Sequence, residues 1–288
     1  MPEPRPLIVD GAAARRLQEE GACTVPFLSP PELAEARDLF ARLHPGGRLP
    51  TVVRGVHMTI HSADGAYKRS VADGLHAVLA PPCGRLFRGH RTVAPFFIVK
   101  PIDEQSSVML HQDICAVDET RHWAVKLWVP LEDASAEHGA LWYLPGSHRL
   151  PGHVRGLAAL WPRLHDVAEH ARPWLRVCAL PAGHAVVFFH RLVHGSPPNR
   201  AAGPRVAISA GIVPAEVPLR IYVQHSAESP LEVYETPDDY LYEDDAPLRE
   251  NVAAAPRGGR RVEVLPSHPR PEVRWADLEP LLVRPESA

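Results

Sequence analysis

The sequence predicts a mainly β protein, a sandwich or barrel of short strands preceded by a helical region. Three observations predict it. From Thr92 onward, short β-rich runs alternate with Pro/Gly breaks. The 288 residues include 32 prolines, which favour loops and strands over long helices. Helix-start signals are concentrated in the first ninety residues.

In chain order, Ser29-Pro30-Pro31-Glu32 reads as a capping box with proline at the first helical position. Leu33, Ala36, Leu39, Phe40 and Leu43 then fall on one helical face, and Pro45-Gly46-Gly47 ends the helix. Thr51 to Val53 and Val56 to Ile60 read as strand, and a helix from about Asp64 to Leu79 is stopped by Pro81-Pro82. The predicted strands are Val93 to Val99, Trp123 to Leu131, Ala140 to Leu144, Leu175 to Leu180, Ala185 to Phe189, Val206 to Val213 and Leu219 to Val223. A helical insert at His153 to His170 interrupts them, and the Pro/Arg-rich tail after Pro247 is expected to wrap the surface or stay partly disordered. With no internal repeat and no flexible linker, residues 1–288 read as a single domain. Its parts are a helical N-terminal region (about 1–90), a β core (about 91–225) and a C-terminal extension (about 226–288).

Composition excludes several classes. Hydrophobic residues at 45% and charged residues at 23% fit a globular chain, not a disordered or fibrous one. A net charge of -3 provides no bulk positive field for nucleic acid or an anionic membrane. No apolar run approaches the roughly 20 residues that cross a bilayer, and Met1 to Pro6 lacks the layout of a signal peptide, so a cytoplasmic protein is expected. The four cysteines are scattered, without a Cys-x-x-Cys pair, which argues against a zinc ribbon or a disulfide scaffold.

The chemistry-bearing residues lie in the β region. In His111-Gln112-Asp113, residues i and i+2 of an extended segment project to one side and can grip one ion. By itself that tripeptide is uninformative. A strand ending Phe188-Phe189-His190 is followed by Val193-His194-Gly195-Ser196, turn residues, and Arg205 opening an apolar strand. An arginine there is costly unless an anion or a structural carboxylate meets it. Two imidazoles and one carboxylate, His111, Asp113 and His194, are a ligand set that leaves three adjacent positions of an octahedral ion open and suits non-haem iron(II) oxygenases. Arg205, eleven residues beyond His194 (205 − 194), can then clamp the far carboxylate of a dicarboxylic co-substrate.

These segments, with Trp128-Val129-Pro130-Leu131-Glu132-Asp133, Glu137-His138-Gly139-Ala140-Leu141 and Pro145-Gly146-Ser147-His148, resemble the phytanoyl-CoA dioxygenase family of iron(II)/2-oxoglutarate-dependent oxygenases. The resemblance runs in order from about Pro95 to Val213. It implies a double-stranded β-helix (jelly-roll, cupin-like) core with flanking helices. It implies Fe(II), 2-oxoglutarate and O2 as cofactor and co-substrates. His111, Asp113 and His194 match the family's catalytic iron ligands; Arg205 matches the 2-oxoglutarate anchor; Ser196 and Trp128 match further co-substrate contacts, and Lys100 lies on a strand where the family also places them. The chain departs from the family at Gly183-His184, usually Gly-Asp, and at His138, usually asparagine, both in turns. Family-like halogenases replace the acidic ligand with a small residue; Asp113 disfavours that chemistry.

The reaction expected is hydroxylation of an unactivated C–H bond of a small molecule, with specialised bacterial metabolism as a setting suggested by the lysine-poor, proline-rich composition. Desaturation, epoxidation and ring closure share the same start. Arg121, Trp123 and Lys126, close after the metal motif, are the substrate-side candidates, and Lys126 shares a strand face with Trp128. The acidic stretch 232–245 is expected as a loop, a lid or a contact in a monomer or homodimer. Two other readings remain open: a zinc or manganese cupin-like isomerase or hydrolase, and a non-catalytic binding protein on the same fold.

Overall fold

The computed structural model describes residues 7–47, 55–150, 154–243, 247, 250–270 and 272–284. The predicted strand at Thr51 to Val53 lies outside them. Helix α1 (Gly11–Glu20) starts at Asp10, whose carboxylate accepts the Ala12 and Ala13 N–H groups, and ends at Gly21 with φ 88°. Strand β1 (Ala22–Pro26) follows, then α2 (Pro30–Leu43), where the Ser29–Glu32 capping box forms as predicted. After the two-residue β2 (His57–Met58) comes α3 (Gly65–Leu86), capped by Asp64.

Helix α3 passes through Pro81-Pro82 instead of stopping before them. Two prolines remove two helical hydrogen bonds, but tertiary partners hold the last turn. Val9 N–H donates to the Leu86 carbonyl at 3.0 Å, and Arg85 pairs with Glu32 at 2.7 Å and reaches the Phe27 carbonyl. The N-terminal region is also less purely helical than expected, because β1 completes an edge of the main sheet.

The core strands are β3 (His90–Lys100), β4 (Val108–His111), β5 (Val125–Pro130), β6 (Trp142–Tyr143), β7 (Arg163–His165), β8 (Arg176–Val177), β9 (His184–Phe189), β10 (His194–Ser196) and β11 (Arg205–Pro214). They form a six-stranded sheet, β1-β9-β5-β11-β3-β2, and a four-stranded sheet, β4-β10-β6-β8, with every pairing in both antiparallel. The protein is mainly β with flanking helices, and the two sheets make the jelly-roll core.

The large sheet is apolar on both faces, which is why its strands read as continuous hydrophobic runs. Phe97, Val99, Val125, Leu127, Val129, Val187, Phe189, Val206 and Ile208 pack on α1, α2 and α3. Trp128, Val186, Phe188 and Ala207 point the other way, into a second cluster with Leu141 and Tyr143 next to the small sheet. Each buried side chain of this size stabilises by roughly 1.5–3 kcal/mol. The face toward the small sheet is therefore the barrel interior, and parity along each strand decides which residues reach it.

Two further expectations change. The insert at residues 153–170 is not a helix: among its described residues it holds a turn at Ala158–Leu160, β7, and a four-residue helix, Val167–His170. Gly156 and Pro162 interrupt the helical pattern. The C-terminal extension is built in. Strand β12 (Leu219–Val223) pairs with β13 (Leu231–Thr236), which pairs with β14 (Arg260–Leu265), and β15 (Glu272–Arg274) runs parallel to β7. Val273, Trp275 and Leu278 are buried with Leu144, Leu150 and Val193. The described part of the acidic stretch is strand β13, a turn and a short helix, Tyr240–Glu243, with four of its five acidic side chains met within the chain: Glu232 by Arg261, Glu235 by Arg260, Asp238 by Arg91 and Glu243 by Arg69. No helix among the described residues is long and apolar enough to cross a membrane.

Candidate metal and co-substrate site

Strands β4 and β10 are neighbours in the small sheet, and their register places His111 directly opposite His194. The two imidazole centroids are 4.3 Å apart. Each ring is oriented by its own backbone: Nδ1 of His111 lies 2.9 Å from the Met109 carbonyl, and Nδ1 of His194 lies 3.0 Å from the Leu192 carbonyl. A carbonyl only accepts, so Nδ1 carries the proton and the Nε2 lone pair is left for an ion. Burial, followed by the neighbouring His111, pushes His194 down to about 3. It is neutral at physiological pH, the form that coordinates metal.

Asp113 joins them just beyond the end of β4. Its N–H donates to the His190 carbonyl at 2.9 Å, and Oδ1 lies 3.8 Å from Nε2 of His111. Oδ2 is buried without a hydrogen-bond partner. Burial opposes ionisation of this carboxyl, but Lys126 and the surrounding imidazoles outweigh it and hold it well below the usual carboxylate range. Ligand atoms of His111, Asp113 and His194 all lie within 4.8 Å of one another. An ionised carboxylate with an orphaned oxygen beside two pre-oriented imidazoles fits a divalent cation.

The loop carrying Asp113 is fastened by charges that sequence reasoning missed. Arg155, 1% exposed, donates through Nε to the Asp113 carbonyl at 2.8 Å and through Nη2 to Glu119 at 2.6 Å. Arg191 approaches the other Glu119 oxygen at 3.3 Å and donates to the Glu119 carbonyl at 2.9 Å. Gln112 donates to the Arg191 carbonyl. Residues 112–119 are thus tied to the segment that carries His194. Breaking such a buried pair from one side costs about 3–5 kcal/mol. Arg155→Met is expected to lose stability of that order in chemical denaturation and to bind metal more weakly than the wild type. Cys115, beside this network, is buried with its thiol pushed up to about 11, so it is an unreactive neighbour.

A second cluster sits along the interior of the large sheet. Arg205 on β11 is the register partner of Lys100 on β3. Both are essentially inaccessible, at 2% and 0% exposure. The Arg205 guanidinium lies 5.0 Å over the Trp128 ring and donates to the Gly139 carbonyl, while Nε has no partner. Lys100 Nζ donates to Ser196 Oγ at 2.6 Å and to the Pro197 carbonyl. Gly139 makes room for it: at φ 64° its Cβ would fall 2.6 Å from Lys100 Cδ and 2.7 Å from the Pro197 oxygen. Burial, then the charge of Arg205, pushes Lys100 down to about 7. Glu132 is the acidic side chain that bears on Arg205, and its carboxylate accepts the Val206 N–H at 3.1 Å. Two buried cations facing only one rim carboxylate are a costly arrangement that an organic anion would relieve.

The substrate-side candidates separate. Lys126 lies on the interior face with Trp128. Trp123 has the opposite parity and packs edge-on against Phe189 at 5.2 Å, on the helix side of the sheet. Arg121 is exposed on a turn after Asp118. Trp123 is therefore removed from the site mouth. His190, four residues before His194, is buried and pushed down to about 4, with neither ring nitrogen bonded, and lies outside the ligand group.

A jelly roll that brings two histidines and a carboxylate together, with two buried cations inside the same barrel, presents the ligand set that suits a non-haem iron(II) oxygenase. The profile of the phytanoyl-CoA dioxygenase family matches residues 17–207. A curated phytanoyl-CoA dioxygenase of Arabidopsis thaliana is 24% identical over 167 residues, which is 57% of this chain and 58% of that protein. Two solved structures share the fold. HygX from Streptomyces hygroscopicus, crystallised with nickel, 2-oxoglutarate and hygromycin B, superposes with a TM-score of 0.52 at 19% identity, over 72% of this chain and 88% of that one. SnoK, a non-haem α-ketoglutarate-dependent carbocyclase from nogalamycin biosynthesis, does so with a TM-score of 0.53 at 18% identity, over 88% and 94%. The chain belongs to the phytanoyl-CoA dioxygenase family of non-haem iron(II)- and 2-oxoglutarate-dependent oxygenases.

Proposed function

We propose that the protein is a dioxygenase that hydroxylates an unactivated C–H bond of a small molecule, with His111, Asp113 and His194 holding Fe(II) and Arg205, Lys100 and Ser196 holding the far carboxylate of 2-oxoglutarate. The observation that carries this reading is the pairing of the buried Arg205–Lys100 cations with the triad inside one barrel. A zinc or manganese isomerase has no use for that cation pair, and a protein that only binds has no use for an ion with open positions.

When bound, iron and 2-oxoglutarate together supply an oxidant from O2 that is strong enough for an unactivated C–H bond. The chain's own residues bind and orient. Arg205 offers a planar fork and Lys100 a point charge, so a carboxylate is fixed in direction as well as in position. Trp128 supports the guanidinium face and excludes water beside it. The Nδ1–carbonyl bonds of His111 and His194 fix both rings before any ion arrives. Overall, 2-oxoglutarate, O2 and R–H give succinate, CO2 and R–OH.

That the small molecule belongs to bacterial specialised metabolism is supported by the fold shared with HygX and SnoK. The test is succinate release and oxygen uptake by the purified protein with 2-oxoglutarate. Both are expected with Fe(II) and absent with Zn(II) or Mn(II). Succinate production independent of iron, or none under any condition with metal and 2-oxoglutarate bound, overturns the reading.

A further inference from the structure

Resting on that reading, we propose that the substrate carries a carboxylate or phosphate on an apolar skeleton and that Lys126 receives the anionic group. Lys126 is one of only three lysines in the chain. On β5 it pairs with Gly211 of β11 on one side and Phe188 of β9 on the other. Phe188 faces the interior and packs on the His194 ring at 4.6 Å, so Lys126 projects to the metal side of the sheet. Its ammonium stands 5.5 Å over the Phe96 ring, and among the described residues it makes no hydrogen bond or ion pair.

Lys126 lies in a different row of the barrel from Lys100. Its row meets β11 at Gly211, and the Lys100 row meets it at Arg205, six residues away (211 − 205). Lys126 is thus displaced along the barrel from the row that carries Arg205 and Lys100. A partly buried ammonium on the metal-ligand side of the barrel, without a hydrogen bond or ion pair among the described residues, calls for a counter-charge, and an anionic substrate supplies one.

The apolar skeleton follows from what adjoins Lys126. Phe96 clusters with Ile60, Tyr242 and Leu241. Leu241 also lines a small apolar cleft with Ile114, Leu157, Ile221 and Tyr222. Ile114 directly follows Asp113, so this cleft abuts the loop bearing the acidic ligand. Its walls are mostly hydrocarbon and aromatic, and its one charged member, Arg155, is paired with Glu119, so it suits an apolar skeleton.

The proposal is tested by calorimetric titration of the protein loaded with nickel and N-oxalylglycine, a stable analogue of 2-oxoglutarate. The probes are octanoate, octyl phosphate and the neutral octanamide. One charge-assisted contact predicts that at least one anion binds about tenfold or more tightly than octanamide, and the two anions separate a carboxylate site from a phosphate site. Lys126→Met is expected to erase the preference and Lys126→Arg to keep it, with N-oxalylglycine affinity the same in all three proteins. Octanamide binding as well as both anions, no binding of any probe, or a preference that survives in Lys126→Met overturns the proposal. Failure of the wild type to take up N-oxalylglycine with nickel is a separate signature, which would remove the oxygenase reading together with the inference.

Discussion

His194→Ala is expected to abolish 2-oxoglutarate turnover and to weaken metal binding by more than about 100-fold, beyond the 10–100-fold typical when only an outer-shell partner is lost. The reasons are geometric. His194 faces His111 across the β4–β10 pair, its Nδ1 is held by the Leu192 carbonyl, and it is buried and neutral. Alanine removes one of three ligand groups while leaving the strand pairing to Tyr143 and His111 intact. The surviving His111 and Asp113 offer two donors, too few to hold an ion against water or buffer. Metal titration under anaerobic conditions, alongside succinate release, reads both effects. His190→Leu is the control. His190 is buried four residues away in sequence, but it meets the Asp113 loop through its backbone carbonyl, which leucine retains. That variant is expected to keep its metal. If it lost metal as His194→Ala does, or if His194→Ala still turned over, the ligand assignment would be wrong.

The parts of this site that could be read from the sequence are those whose geometry is local. His111 and Asp113 are two residues apart at a strand end, and Arg205 opens the strand that follows β10 after one turn, so short-range periodicity brought each into view. Trp123 is turned away from the site by the same alternation. It differs in parity from Lys126 and Trp128, and Val125 and Leu127, which share its parity, face the helices. Counting by two from Trp128 would have turned it away from the site. Other features carry no local signal. Glu119, Arg155 and Arg191 are separated by 36 and 72 residues from one another in their hydrogen bonds, and in a chain so rich in arginine no single one stands out. Pro81-Pro82 is a genuine stop signal, overridden by Val9, Glu32 and Phe27, which hold the last turn of α3 from outside. The tail looked like a wrapping because proline and arginine dominate it, yet three apolar residues, Val273, Trp275 and Leu278, decide its packing.

Arg205→Met separates function from stability. In the protein without co-substrate, Arg205 and Lys100 are buried side by side on paired strands, Arg205 keeps one nitrogen unbonded, and burial pushes Lys100 down to about 7 and Arg205 to about 10. Such an arrangement costs folding free energy that a 2-oxoglutarate carboxylate recovers on binding. Methionine fills similar space with no charge, so the unliganded variant is expected to melt at the same temperature as the wild type or higher, and still to bind metal. Co-substrate binding is expected to weaken by about 30-fold or more, since losing one partner of a buried charge pair costs about 2–5 kcal/mol. The stabilisation that saturating N-oxalylglycine gives the wild type, about 2.7 kcal/mol at a hundred times its Kd, should then largely disappear. A pH arm isolates Lys100. With burial and Arg205 holding it near 7, Lys100 is protonated below that pH, and above it binding a dianion must take up a proton. Wild-type affinity is therefore expected to fall as pH rises through 7, by up to about tenfold per pH unit. Losing Arg205 relieves the like-charge repulsion on Lys100, so in Arg205→Met the same fall should begin at higher pH. A variant whose unliganded form was strongly destabilised while its 2-oxoglutarate affinity stayed intact would show Arg205 to be a structural cation, and the anchor would have to lie elsewhere.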